Sequence, residues 1–348
     1  MRKERKDEHI EYCLRSEYRG ETLLDDLYFE PDSLPELDYD QIDTSTNLMG
    51  KAISMPLMIN AMTGGTEMTG QINRDLAEIA RDFKIPMQVG SMKIALEDKD
   101  SIDSFSHIRE IMGPDALIFA NLGSDANVEE VGKVMEMIDA DGIGIHINPA
   151  QELTMSEGDR NFKGRKENLE KLSRAFPGKI IVKEVGFGFN KDDLAFLNSL
   201  PLAMVDVSGL GGTNFFEIED LRRLDEDFTE FYNWGIPTAK SLWNALKYCP
   251  QQKIMVSGGI KTASDLIRGM VMGADMGAVS GELLKFLMHG DRAYAEYYVS
   301  RFLSHLKMGM LLLGCDRPEN LKKVPHTYVG KLKILIDNEI GKGAGHGR

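Results

Sequence analysis

Eight short runs of β-branched and apolar residues, each separated from the next by a stretch with helical spacing, restrict what this 348-residue chain can fold into. The runs are PLMINAM (56–62), PMQVGS (86–91), ALIFANLG (116–123), GIGIHIN (142–148), KIIVKEVG (179–186), MVDVSG (204–209), IMVSGGI (254–260) and MGAVSG (276–281). Alternation of this kind gives parallel sheets with crossover helices. Intervals such as 71–83, 128–138, 194–200, 239–248 and 263–272 can supply the helices. Eight strands at a fairly regular period fit a closed α/β barrel, a (β/α)8 TIM barrel, better than an open sheet. Such barrels fill this length as one unit. The expected organisation is an N-terminal extension over 1–50, a barrel over 51–315, and a C-terminal helix and tail over 316–348.

Each run is apolar through its body and turns polar or glycine-rich at its carboxyl end. Thr63, Ser91, Asn121, His146 with Asn148, Lys183, Ser208, Ser257 and Ser280 fall at or just after these ends. In a barrel those ends converge on one face, where the following loops build active sites. Polar residues end strands in any case. Eight together favour a site.

The flanks add to this face. Residues 5–19 read as a basic helix followed by an acidic linker, able to cap one barrel end or reach over the active face. Residues 209–234 are too long for an ordinary βα loop, and loops of that size are functional or disordered. Phe215, Phe216, Phe228, Phe231, Tyr232 and Trp234 argue against disorder there. Residues 291–313 read as one amphipathic helix, and the tail GKGAGHGR as frayed.

A formal charge of −14 argues against nucleic-acid partners and repels anions at long range. An anionic ligand therefore needs a local basic cluster, and Arg2, Lys3, Arg5 and Lys6 supply one. The start MRKERKDEH lacks an apolar stretch and does not read as a secretory signal, and no window approaches a membrane span, so a cytoplasmic location is expected. Cys13, Cys249 and Cys315 have no metal-site or redox spacing and read as reduced thiols.

Ser257-Gly258-Gly259-Ile260 ends strand seven and Ser280-Gly281 ends strand eight. Barrels often bind a phosphate there, helped by a helix N-terminus, although tight turns need glycine too. Lys183 lies inside an apolar strand, where an unpaired ammonium is costly to bury. Asp206 or Glu184 could compensate it, though alternation turns Glu184 to the other face; an electron-rich ligand at the barrel mouth is the other answer. His146-Ile147-Asn148-Pro149-Ala150-Gln151-Glu152 closes strand four. His146 and Asn148 share a face by period two, and Gln151 and Glu152 project from the loop after Pro149 into the same mouth. The set suits a diphosphate and a bridging Mg²⁺, for which one carboxylate suffices. Arg5, Lys6 and His9 form a cationic patch if helical, as a solvated helix face also would.

The segments RKDEH (5–9), AMTGG (61–65), VGS (89–91), ANLG (120–123), HINPAQE (146–152), VKEVG (182–186), DVSGLGGT (206–213), WGIPT (234–238) and SGGI (257–260) together resemble the type 2 isopentenyl-diphosphate isomerases. The HxNxxQE run with the RKxxH start is the specific part; the Gly-Gly pieces recur in many flavin barrels. The resemblance implies an FMN- and Mg²⁺-dependent homo-oligomer, tetramer or octamer, with NADPH as reductant of the flavin and an isoprenoid diphosphate as substrate. It implies FMN contacts at Ala61, Met62, Thr63, Ser91, Asn121, Lys183, Ser208, Thr213, Gly258, Gly259, Ser280 and Gly281. Substrate contacts are implied at Arg5, Lys6, His9, His146, Asn148 and Gln151, the metal at Glu152, and catalytic roles at Gln151, His146 and Lys183. Met92-Lys93 departs from the pattern of many members, which puts the substrate contacts of that stretch in doubt.

The chemistry implied is addition of a proton at one alkene carbon and removal of another two carbons away, with reduced flavin as acid and base and Lys183 beside its N1 edge. The rival is an FMN barrel oxidoreductase of the 2-hydroxy-acid oxidase type, which places a histidine after strand six. Ser208 to Thr213 contains none. A dehydrogenase with a cysteine in 209–234 is disfavoured because no cysteine lies there, and a non-catalytic barrel would not need so polar a mouth.

Overall fold

In a computed structural model, the backbone is described for residues 2–18, 20–223 and 225–344, with side chains described between residues 6 and 340 of those segments. The eight expected runs form the eight strands of one closed barrel: β1 Leu57–Ile59, β2 Met87–Gln88, β3 Ile118–Gly123, β4 Gly142–Ile147, β5 Ile180–Glu184, β6 Met204–Asp206, β7 Ile254–Val256 and β8 Met276–Val279. All neighbours pair in parallel, and β8 closes on β1 through Gly277 opposite Leu57. Full burial on both faces explains why the runs read as continuous rather than alternating.

The barrel interior is filled by Met58, Phe119, Ile181, Met204, Met255 and Met276. An antiparallel hairpin, Thr46–Leu48 with Lys51–Ile53, adds Leu48 and Ile53 to that cluster and closes the end away from the strands' carboxyl termini. Unbranched methionine suits this irregular space. The outward faces pack on the surrounding helices, which form the larger core.

Helix boundaries differ from expectation where caps decide them. The helix expected over 71–83 is Glu67–Phe83, because Thr66 and Thr69 form a reciprocal capping box that starts it a turn earlier. The basic N-terminal helix is Arg2–Arg15 and stops short of residue 19. Just beyond it, the Glu217 carboxylate accepts hydrogen bonds from Ser16 Oγ and from the backbone N–H of Glu17 at 2.9 Å and Tyr18 at 3.1 Å. Those bonds hold the chain in a non-helical path.

The described residues of 209–234 hold the helix Phe215–Arg222 and a short turn of helix at Thr229–Phe231. Phe216 stacks on Phe231 with centroids 5.4 Å apart and meets Phe187 edge-on at 5.1 Å. The N-terminal helix packs on this helix and on Gly281–His289, so residues 6–15 lie across the carboxyl-end face. Of the tail expected to fray, residues 341–344 continue the helix Gly330–Ala344, and residues 345–348 lie outside the described residues. No helix among the described residues is long and apolar enough to cross a membrane.

Candidate active site

Two cavities open side by side on the carboxyl-end face. The larger, about 450 Å³, is lined by Lys6, His9, Met62, Thr63, Ser91, Asn121, His146, Asn148, Gln151 and Glu152 among others. The smaller, about 160 Å³, is lined by Asn60, Ser208, Ser257, Gly258 and Gly259. Ala61, Lys183, Thr213, Ser280 and Gly281 line both, so the two form one cleft. Every expected site residue with a described side chain borders it. Arg5 sits in the N-terminal helix, but its side chain lies outside the described residues.

Backbone makes the smaller end. Gly258 and Gly259 have φ of 88° and 84°, and a Cβ at Gly258 would collide with Gly209 O, while one at Gly259 would come within 2.5 Å of Gly211 O. The two loops therefore interlock only as glycine. Next to them, helix Gly281–His289 begins at Ser280 without a side-chain cap, leaving the N–H groups of its first turn for an anion. Lys261 and Lys285 also border this end. A phosphate fits it.

Above the strand ends the residues suit the rest of a flavin. Thr63 is buried, yet its hydroxyl has no partner, which points to a hydrogen-bonding ligand in the cleft. Lys183 is 6% exposed. Its Nζ donates to Glu184 O at 2.9 Å and lies 3.9 Å from Asp206 Oδ2. Glu184 itself turns away, as alternation requires, and its carboxylate accepts from the N–H groups of Val185, Gly186, Phe187 and Gly188. Of the two carboxylates considered for Lys183, Asp206 is the one facing it.

Side chains make the larger end. His146 Nδ1 is 2.8 Å from Asn121 Oδ1, an atom that can only accept, so the ring carries its proton on Nδ1. Burial, then the positive charges of Lys183 and Lys6, push its pKa down to about 3, although the ring keeps some contact with the cleft. Gln151 and Glu152 are not on a loop, as expected, but on the helix Pro149–Thr154, where Pro149 supplies the fixed φ favoured at a helix start. Asn148 Nδ2 donates to Gln151 Oε1 at 3.1 Å and to Glu152 Oε1 at 3.0 Å, fixing both side chains. Glu152 Oε2 accepts from Asp159 N–H at 2.8 Å. Among the described residues no cluster of three or more His, Cys, Asp or Glu side chains could hold a metal. Glu152 can therefore serve a Mg²⁺ only if water and phosphate oxygens complete the shell, as this ion commonly arranges.

The N-terminal helix brings in the cations. Lys6 Nζ donates to Ser91 O at 3.3 Å, and His9 Nε2 lies 2.9 Å from Glu219 Oε1. Glu219 is fully buried and also accepts Arg222, whose other nitrogens reach Glu8 and Glu157. The carboxylates Glu217 and Glu219 thus tie the helix to the loop after β6, and the sequence reading missed both. In FFEIEDLR they look like a solvated helix face; their burial depends on a segment about two hundred positions away. Lys93, left in doubt, also lines the larger cavity, where it pairs with Glu130 at 2.8 Å and Asp125 at 3.7 Å.

The model of the FMN-dependent dehydrogenase family matches residues 133–326, more than half of the chain. The isopentenyl-diphosphate delta-isomerase of Bacillus licheniformis is 41% identical over 330 residues, covering 94% of each chain. The chain belongs to the isopentenyl-diphosphate delta-isomerase family. The isomerase of Staphylococcus saprophyticus is 36% identical over 97% of this chain and 96% of its own, and that of Symbiobacterium thermophilum 40% identical over 88% and 85%. Membership in this family, together with the FMN-dependent match, supports FMN as the cofactor of this chain. Among solved structures, a mandelate oxidase aligns with a TM-score of 0.65 at 13% identity, covering 92% of this chain and 94% of that one. A flavocytochrome b2 variant aligns at 0.67 and 16%, covering 96% and 88%. These likenesses concern the barrel fold.

Proposed function

We propose that this chain converts isopentenyl diphosphate to dimethylallyl diphosphate, with FMN in the cleft, Mg²⁺ on Glu152 and NADPH as the reductant that activates the flavin. One observation carries the reading. A backbone cradle for a flavin phosphate and a side-chain set for a diphosphate lie in a single cleft and share Lys183, Ala61 and Thr213.

Reduced FMN, when bound, supplies the acid and base for the allylic proton shift and electron density against the developing positive charge. The chain's own residues orient and shield. Gly258, Gly259 and the first turn at Gly281 hold the flavin phosphate, and Lys183 stands where it can balance a negative flavin. Asn148 aims Gln151 and Glu152 together; Glu152 would hold the Mg²⁺ that neutralises a diphosphate, and Gln151 borders the same space. His146 and Asn148 border the diphosphate, while Lys6, His9 and Arg5 cover it and offset the repulsion of an acidic protein. We further propose a cytoplasmic homo-oligomer, a tetramer or octamer, with no nucleic-acid partner. The deciding experiment is an anaerobic assay with isopentenyl diphosphate, Mg²⁺ and FMN, with and without NADPH. Isomerisation that requires the reductant supports the reading. Oxidation of a 2-hydroxy acid with no isomerisation would replace it with the oxidase alternative.

A further inference from the structure

The buried carboxylate of Asp206 is spoken for on several sides, and its partners come from widely separated parts of the chain. Asp206 is 0% exposed at the carboxyl end of β6. Asn60 Nδ2, just past β1, donates to its Oδ2 at 2.8 Å, and Ser257 Oγ, just past β7, donates to its Oδ1 at 2.6 Å. Ser208 N–H approaches Oδ1 at 3.3 Å. These donors are all neutral, and together they fix the orientation of the carboxylate.

Among the described residues, the cation paired with it is Lys183. Asp206 is its register partner on the neighbouring strand, and Nζ stands 3.9 Å from Oδ2. At that distance Asp206 acts as a counter-ion and not as a full hydrogen-bond partner. Lys183 keeps its hydrogen bond to Glu184 O and still borders both cavities. The other carboxylate nearby, that of Glu184, is occupied by backbone N–H groups on the far side of the strand. His146, the register partner of Lys183 on β4, adds no negative charge.

We propose that Asp206 is a positioning residue for the flavin: clamped by Asn60 and Ser257, it holds the Lys183 ammonium in place at the cleft, and so sets the reduction potential of bound FMN. The inference rests on the FMN reading above. Asp206 does not touch the cleft ligand in this scheme; it acts through Lys183 alone. A lysine that loses this counter-ion is no longer held at the flavin edge, and a flavin without that positive charge beside it gains electrons less readily.

The test is the midpoint potential of FMN bound to Asp206→Asn, Lys183→Met and the double variant, with FMN affinity measured alongside by flavin fluorescence. Asp206→Asn should lower the potential by the equivalent of about a tenfold change in the oxidation equilibrium, about 30 mV for a two-electron couple. Lys183→Met should move it the same way, and the double variant should move it no further than Lys183→Met does. Asp206→Glu, which keeps the charge, should recover most of the wild-type value. A potential that rises or stays fixed in Asp206→Asn overturns the proposal, as does full additivity in the double variant. If Asp206→Asn does not fold, Ser257→Ala loosens the clamp without changing any charge. It should lower the potential in the wild-type background and not with Lys183→Met; an equal shift in both overturns the idea. Wild-type protein that binds no FMN would instead defeat the functional reading, which keeps the two failures distinct.

Discussion

The two ends of the cleft are built from different material. At the β7–β8 end the ligand-facing surface is backbone: glycines with positive φ and the open first turn of a helix. At the β4 end it is side chain: His146, Asn148, Gln151 and Glu152, covered by Lys6 and His9 on the N-terminal helix. A backbone site has its geometry fixed by the fold, and it suits a cofactor that stays. A side-chain site under a helix held by ion pairs can reorganise, and it suits a substrate that must enter and leave. The comparison implies that substitutions at the first end act nearly all-or-none on cofactor binding, and those at the second are graded and act on turnover and KM.

The largest effect should follow Gly258→Ala. A left-handed backbone at a non-glycine residue costs roughly 1–3 kcal/mol, and here the added methyl also meets Gly209 O. Because the loop after β6 must shift, FMN affinity should fall at least about a hundredfold, some 2.7 kcal/mol. Fluorescence titration of FMN into the deflavinated protein measures this. Normal affinity would mean that the backbone end does not hold the phosphate.

Next comes Glu152→Gln, at the other end. The amide keeps the shape and removes the charge that a Mg²⁺ needs. Turnover at limiting Mg²⁺ should drop by at least the roughly 10–100-fold that disturbing a metal ligand's partner costs, with FMN affinity unchanged. Turnover and magnesium dependence like those of the wild type would remove Glu152 from the metal site. A graded effect is expected from Lys6→Ala: KM should rise by the equivalent of about 1.5–3 kcal/mol, the range for a hydrogen bond to a charged group. Arg5→Ala should behave alike. Unchanged KM at low and moderate salt would leave the N-terminal helix as a structural cover only.

How much of this was legible beforehand differs between the same two ends. All eight strands were readable because burial on both faces leaves a continuous apolar run, and the barrel rule then assigned their polar ends to one face. Gly258, Gly259 and Gly281 followed from position alone. Gln151 and Glu152 were candidates from the start, but their helix was not foreseen, since Asn148 and Pro149 read as a loop until the backbone bonds are seen. The contacts that tie the N-terminal helix down were hidden for a different reason. Glu217 and Glu219 look solvent-facing in their own segment, and only a tertiary partner makes them buried. Local patterns carry no record of contacts that distant in sequence. Asp206 was considered as a partner for Lys183, yet its clamp by Asn60 and Ser257 needs the closed barrel to bring β1, β6 and β7 together.

His146 gives the most discriminating test, because it feels both ends: Lys183 borders the whole cleft, and Lys6 belongs to the cover. In the folded chain its pKa is pushed from 6.5 down to about 3, by burial first and then by Lys183 and Lys6. Between these values the unfolded chain holds a proton on this residue that the folded chain lacks, so acid favours unfolding. The contribution of His146 should be fully present above about pH 6.5 and decline as the pH falls towards 3, with a limiting slope of about 1.4 kcal/mol per pH unit. Denaturant unfolding of wild type and His146→Gln across this range isolates it. The stability difference between them should be flat above pH 7 and shift against the wild type below 6. Inorganic diphosphate with Mg²⁺ should flatten that dependence, because an anion at the β4 end counters the two lysines and lets the folded chain keep the proton. Inorganic phosphate at the β7–β8 end should affect it less. A difference that stays constant from pH 8 to pH 4 would show that His146 is not held neutral, and an equal response to both anions would dissolve the distinction between the two ends.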